Sequence, residues 1–285
     1  WRMDILMIAI LINTHKNKEQ TQRLINKLRH KEVDIYVHID KKFEVESFEN
    51  AKTITKRYDI KWGDESIIKC IISSLEEITK EKEYVHYILL SGQDYPIKSI
   101  DEIVNFLKQN KNKEFLDYKK IGTGKNEWNV SNRYSYYRYE NRIINFISRK
   151  LWNKREIIKN TNHYGGSLWW ILTNDSIKYI ISEYHSKKIL NKLKHTVCID
   201  EVFFQTILCN SKFKKNIINQ NYRYIDWSDH MQGKNKGNPN ILKEKDYQKI
   251  ITSNNFFARK FDLKIDSKIL DMLDNYIIKE KVKQT

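Results

Sequence analysis

The chain has 285 residues, 40% of them hydrophobic and 12% aromatic, which excludes a disordered tail and is enough for one large or two small domains with a full core. Lys and Arg outnumber Asp and Glu by 52 to 36, a formal charge of +16 whose field draws anionic partners: nucleic acid, an acidic membrane surface or a phosphorylated substrate. AT-rich coding would give the same excess, and no zinc-knuckle or RNP-type motif supports nucleic acid.

Trp1 and Arg2 ahead of Met3 read as a cloning remnant, so a single domain over 3–285 is expected. The apolar stretch Ile5–Ile12 is far shorter than the roughly 20 residues of a membrane span, and it lacks the small-residue cleavage site of a signal peptide. Ile5–Asn13 is a continuous apolar run, read as a buried parallel strand. Lys18–His30 carries Leu24, Ile25 and Leu28 at helical spacing, and Val33–Asp40 is a second β-branched run. Strand, helix and strand within about 40 residues make a βαβ unit, which favours a parallel sheet. Ile67–Ile78 reads as a helix and Tyr84–Leu90 as a further core strand. Ser99–Gln109 reads as a helix with Ser99 as N-cap and Glu102 three residues on. Residues 111–162 are polar, aromatic and basic with weak periodicity, and read as an acceptor-facing excursion over the sheet. Regularity returns with a strand over Ser167–Leu172 and helices over Asn174–Tyr184 and Asp200–Cys209. A short strand over Arg223–Trp227, an irregular loop over Ser228–Lys245 and a helical tail over Asp246–Lys279, interrupted by FFARKFD, complete the chain.

Cys70, Cys198 and Cys209 form no C-x-x-C pair, which gives neither a disulfide framework nor a zinc site and fits a reducing compartment. A Walker loop, a G-x-G-x-x-G, a G-x-S-x-G elbow and an H-E-x-x-H are all absent, so the chain is no obvious NTPase, dehydrogenase, hydrolase or zinc protease. No D-x-D occurs either. His38 and Asp40 share one face at a strand's C-terminal end, where ligands bind in open α/β sheets. Asp40 is either a capping residue or an acceptor for ribose hydroxyls. In SGQDYP, Asp94 either caps a turn or projects at the same sheet edge. Glu201 sits in DEVFFQTIL. It reads as a dipole-favoured helix start or as a base tuned by Phe203 and Phe204. Arg259 and Lys260 are snorkelling surface residues or carriers for a diphosphate's charge. Trp62, Trp169, Trp170 and Trp227 beside turns and motif strands are core residues or sugar-stacking surfaces.

In this order the segments AILINTHKN, DIYVHIDKK, IKWGDESIIK, ILLSGQDYPIKSIDEI, GGSLWWILT, IDEVFFQTIL, RYIDW and FFARKFD resemble the core-2/I-branching β-1,6-N-acetylglucosaminyltransferase family, which includes the protein xylosyltransferases. They run colinearly over about residues 8 to 262, and the chain looks closest to the short bacterial members. The resemblance implies an α/β fold of GT-A type, with a mostly parallel central sheet flanked by helices. It implies inversion at the sugar carbon, no cofactor and no metal, and a UDP-sugar as co-substrate. GlcNAc is the first donor reading and xylose the alternative. It places the catalytic base on Glu201, the diphosphate lysine on Lys260, the nucleoside-side aspartate on Asp40 and the acceptor tryptophan on Trp227. His15, Trp62, Gly63, Ser66, Asp94 and Arg259 complete the expected donor set, and Arg133 and Trp169 the acceptor set. No arginine lies between Trp227 and Arg259, so the family's second diphosphate cation would pass to Lys236, Lys243 or Arg259. Asp229 stands where the family has an aromatic, which leaves the acceptor open. A carbohydrate acceptor, lipid-linked or free, is expected, in the cytoplasm or peripherally at the inner face of an anionic membrane. Readings from other classes are a basic nucleic-acid-binding protein and an inactive sugar-binding relative.

Overall fold

The computed structural model describes residues 7–122, 124–129, 142–151, 162–186, 189, 193, 196, 198–232 and 237–284. In chain order its elements begin with β1 (Ile8–Thr14), α1 (Lys18–Lys27), β2 (Val33–Ile39), β3 (Lys52–Thr53), α2 (Ser66–Glu81), β4 (His86–Ser91) and β5 (Asp94–Pro96). Next come α3 (Ile100–Gln109), β6 (Glu114–Leu116), β7 (Lys119–Lys120), α4 (Arg142–Leu151), β8 (Tyr164–Gly165), β9 (Trp170–Thr173), α5 (Asn174–His185) and α6 (Phe203–Cys209). The chain closes with β10 (Ile217–Ile218), β11 (Arg223–Ile225), α7 (Ser228–Met231), α8 (Tyr247–Ile251), β12 (Phe257–Arg259) and α9 (Lys268–Gln284). This is an α/β protein, as expected. Its contacts group into two compact units, where one domain over 3–285 was expected from the sequence. Unit 1 holds Trp1–Thr55, Tyr84–Lys111 and Tyr222–Thr285, and unit 2 holds Lys56–Glu83 and Asn112–Asn221.

In unit 1, β1 lies between β2 and β4 and runs parallel to both, with Ile10 opposite Ile35 and Ile88. Every residue of β1 and β4 is buried, which is why both read as unbroken apolar runs rather than alternating ones. β3 extends the parallel order beyond β2. Ser99 Oγ accepts from Glu102 N and opens α3, as its sequence predicts. A second sheet sets β12 parallel to β11 and antiparallel to β5, with Arg259 opposite Asp94. FFARKFD is therefore a strand and not a break in a helical tail. Three residues are too few for a period to show. The region 228–245 also holds more than a loop, since α7 and a 3-10 turn over Glu244–Asp246 form there.

In unit 2, β6 pairs antiparallel with β9 and parallel with β10. Part of the expected excursion is thus core: Phe115 and Leu116 are fully buried. β9 begins at Trp170, not Ser167, and Ser167 O instead accepts from Gln205 Nε2 at 2.7 Å. Glu114 anchors the start of α5. Its carboxylate accepts from Thr173 N at 2.8 Å, Thr173 Oγ1 at 2.6 Å and Ser176 Oγ at 2.8 Å. Burial nonetheless raises its pKa above the ordinary carboxylate value.

Candidate functional site

In unit 1, the functional side chains stand on loops that leave the C-terminal ends of β1, β2 and β4 and on the segment after β12. Asp40 ends β2 and is almost wholly buried. Its Oδ1 accepts from Lys42 N at 2.9 Å and lies 3.8 Å from Lys42 Nζ, so it folds the loop back on itself. His15 follows β1 and keeps solvent contact, yet the protein crowding its ring, then Lys16 and Lys260, hold its pKa below 6.5 against the pull of Asp40. Lys260 is half-buried. Burial first, then Arg259 and Lys16, lower its pKa, and Asp262 opposes them. Three cations, Lys16, Arg259 and Lys260, are thus concentrated beside His15, with Asp262 as the near counterion: its carboxylate accepts from Lys16 Nζ at 2.7 Å and Asn17 Nδ2 at 2.9 Å.

Two buried polar side chains fix this arrangement. Gln20 Nε2 donates to Gly92 O at 2.9 Å and Phe261 O at 3.1 Å, while its Oε1 accepts from Leu263 N at 2.9 Å. One side chain on α1 therefore pins both the SGQDYP turn and the residues on either side of Asp262. Arg223 in β11 donates to Leu89 O and sets its Nε 3.5 Å from Asp94 Oδ1, with both side chains fully out of solvent. Asp94 Oδ2 meanwhile accepts from Ser91 N and Ser91 Oγ, each at 2.6 Å. Of the two readings of Asp94 the capping one holds: it does not project from the sheet edge but closes its turn and balances buried cations. Arg259 is one of these. Burial lowers its pKa and Asp94 raises it. Trp227, between β11 and α7, leaves 39% of its surface exposed, a face open to a ring.

In unit 2, Trp62 is 69% exposed at the tip of a turn whose next residue, Gly63, takes φ 73. Only glycine enters that region without cost. Gly63 O accepts from Cys198 N at 2.9 Å, which joins this turn to the segment bearing Glu201. Ser66 begins α2, but its hydroxyl is committed to Asp64 and to Lys61 N. Glu201 ends a 3-10 turn over Ile199–Glu201, and Val202, at φ −125, separates it from α6. The continuous helix expected over Asp200–Cys209 is thus broken, and helix-start stabilisation does not account for Glu201. The apolar residues Val202, Phe203 and Phe204 on both sides of the break hid it. Glu201 O accepts from Gly166 N at 2.8 Å. A Cβ on Gly166 would lie 2.1 Å from Asp117 O, and one on Gly165 2.6 Å from the Trp128 ring. The glycine pair exists for close backbone approach. Trp169 is half-buried ahead of β9.

Arg133 and Lys236 lie outside the described residues. Sequence reading missed Lys16, Gln20, Arg223 and Asp262 as participants. Lys16, Arg223 and Asp262 stood inside the family-like segments, but nothing local distinguished them. Among the described residues no three His, Cys, Asp or Glu side chains converge as a metal site would require. Nor is any helix among them long and apolar enough to cross a membrane. All three cysteines are buried and free, and burial pushes the Cys209 thiol up to about 12.

A profile of the Core-2/I-Branching enzyme family matches residues 8–251. The chain belongs to the Core-2/I-Branching enzyme family. Xylosyltransferase 2 of Rattus norvegicus is 24% identical to it over 302 residues, covering 96% of this chain and 34% of that protein. Xylosyltransferase 2 of Homo sapiens is also 24% identical, over 95% of this chain and 33% of its own length. This Core-2/I-Branching chain thus spans about a third of the curated relatives it matches. Among solved structures, S. aureus TarS 1-349 aligns at 14% identity and a TM-score of 0.39, over 74% of this chain and 57% of that one. The same protein in complex with UDP aligns at 15% and 0.32, over 61% and 48%.

Proposed function

We propose that this Core-2/I-Branching enzyme is an inverting glycosyltransferase that moves a sugar from a UDP-sugar to a carbohydrate hydroxyl without a metal. The observation that carries the reading is the crowding of Lys16, Lys260 and Arg259, with the Lys260 ammonium pressed below its ordinary pKa by burial and by its like-charged neighbours. Such a cluster gains most from an incoming polyanion, and a sugar nucleotide's diphosphate is one. Asp40 is read as the nucleoside-side carboxylate and Trp227 as an acceptor platform.

In this mechanism Glu201 removes the proton of the acceptor hydroxyl as that oxygen attacks the anomeric carbon. The bond from that carbon to the β-phosphate oxygen breaks on the opposite side, through an oxocarbenium-like state. The electron pair leaves on the diphosphate, where Lys260 balances the charge that a metal would otherwise neutralise as a Lewis acid. The donor sugar is read first as GlcNAc. The 24% identical relatives are xylosyltransferases, which favours UDP-xylose as the second reading. The donor that raises the melting temperature most, by mass action, separates the two.

Glu201→Gln keeps the shape and removes the base. Transfer should fall by about 100-fold or more, the usual scale of a general base, with UDP affinity unchanged. Wild-type transfer should also persist in EDTA. Near-normal turnover of the variant would remove Glu201 from the mechanism, and activity lost in EDTA and restored by Mn²⁺ would overturn metal independence.

A further inference from the structure

We infer that Lys16 is the second cation of the diphosphate site, presented with Lys260 by the carboxylate of Asp262. This rests on the nucleoside-diphosphate reading above and names what completes it. A diphosphate leaving group carries more charge than one ammonium balances, and Lys260 alone leaves the account open. Arg259 is the nearest candidate in sequence, but it stands opposite Asp94 in the β12–β5 pair, and that buried carboxylate already acts on it. Lys42 lies 3.8 Å from Asp40.

Lys16 is also ion-paired, but to a carboxylate on the Lys260 segment itself. Its Nζ is 2.7 Å from Asp262 Oδ2, which ties it to the chain two residues beyond Lys260. Its side chain keeps 39% of its surface exposed, whereas that of Asp262 keeps 9%. An ammonium has three donors, and this pair uses one of them. Asp262 does not belong to Lys16 alone: its Oδ1 also takes Asn17 Nδ2 at 2.9 Å and Lys264 N at 3.1 Å. Asn17 gives up capping α1 to make that bond. It adopts φ 54 and ψ 72 at the N-cap with no side-chain bond to the helix. The loop is therefore built around holding Asp262, and through it the lysine, at the end of β1. Lys16 also lowers the proton affinity of Lys260, which places the two ammonium groups within electrostatic reach of one another.

The test is calorimetric titration of wild type, Lys16→Ala, Lys16→Arg and Lys260→Ala with UDP, inorganic pyrophosphate and uridine. Lys16→Ala should weaken UDP and pyrophosphate about tenfold or more, the scale of one charge-assisted contact, while uridine binds as before. Lys16→Arg should recover most of the loss. Equal binding of UDP and pyrophosphate by Lys16→Ala and wild type would overturn the assignment and leave the UDP-donor reading standing. An equal loss of uridine and UDP would also overturn it, as damage to the loop. Wild type that binds pyrophosphate through Lys16 but not UDP would keep the anion site and remove the nucleotide reading. Wild type that binds neither removes both.

Discussion

Around Lys260 the backbone is held by buried side chains that reach from distant parts of the sequence: Gln20 to Gly92 and Phe261, and Arg223 to Leu89 and Asp94. Around Glu201 it is held by backbone touching backbone, Gly166 N on Glu201 O and Gly63 O on Cys198 N, with glycines where any side chain would collide. The first kind of bracing carries charge into the interior and balances it locally. The second carries none and leaves Glu201 in a half-buried turn, with neutral side chains, Gln205 on Ser167 O and Thr206 on Tyr164, beside it. Electrostatic bracing should therefore fail by degrees as partners are removed, and steric bracing should fail with a single methyl group.

The largest effect is expected from Arg223→Met, which leaves Asp94 buried with only Arg259 as a near cation. Breaking one side of a buried pair costs about 3–5 kcal/mol, and Arg259 should hold the loss near the lower end. Urea unfolding would measure it, and a change below about 1 kcal/mol would mean that Arg223 braces nothing. Gly166→Ala should cost about 1–3 kcal/mol, the range for overpacking, and should cut transfer while UDP affinity stays the same. Loss of UDP affinity in that variant would erase the distinction between the two regions. The smallest effect concerns pH. Because Lys260 is held below its usual pKa, it loses its proton earlier than an ordinary lysine as pH rises. Binding of a dianionic UDP would favour the charged form, so affinity should fall as pH rises, and should begin to fall earlier than with an ordinary lysine. The slope should be at most about tenfold per pH unit. Lys260→Arg should flatten that decline, and identical profiles for the two proteins would contradict it.

How much of this was legible in the sequence follows from the range of each interaction. β1, β2 and β4 announce themselves because burial on both faces leaves a local signature, and Ser99 caps α3 by a bond three residues long. Asp40 falls at a strand end as its spacing with His38 implied. Gln20 and Arg223 left no such mark, since their partners lie up to 243 and 134 residues away. Periodicity reports which face a residue occupies and says nothing of what a buried amide bonds. Asp94 stayed open between two readings for the same reason: a turn aspartate looks identical whether it faces a ligand or an arginine 129 residues on (223 − 94). The break at Val202 lay hidden within the apolar stretch Val202–Phe204, and only the glycine pair hinted that something must approach closely there.

The interleaving of the two units along the chain sets an order of assembly. Every segment of unit 2, Lys56–Glu83 and Asn112–Asn221, leaves the ribosome before Tyr222 does. Unit 1 begins first and finishes last. Its early strands must wait through more than a hundred residues of synthesis with the Asp94 carboxylate made and Arg223 still to come. At about 5–20 residues per second that interval lasts several seconds, long enough for a chaperone to bind. The nascent chain would thus pass through a stage in which the half that supplies Glu201 can close while the half that supplies Lys260 remains open.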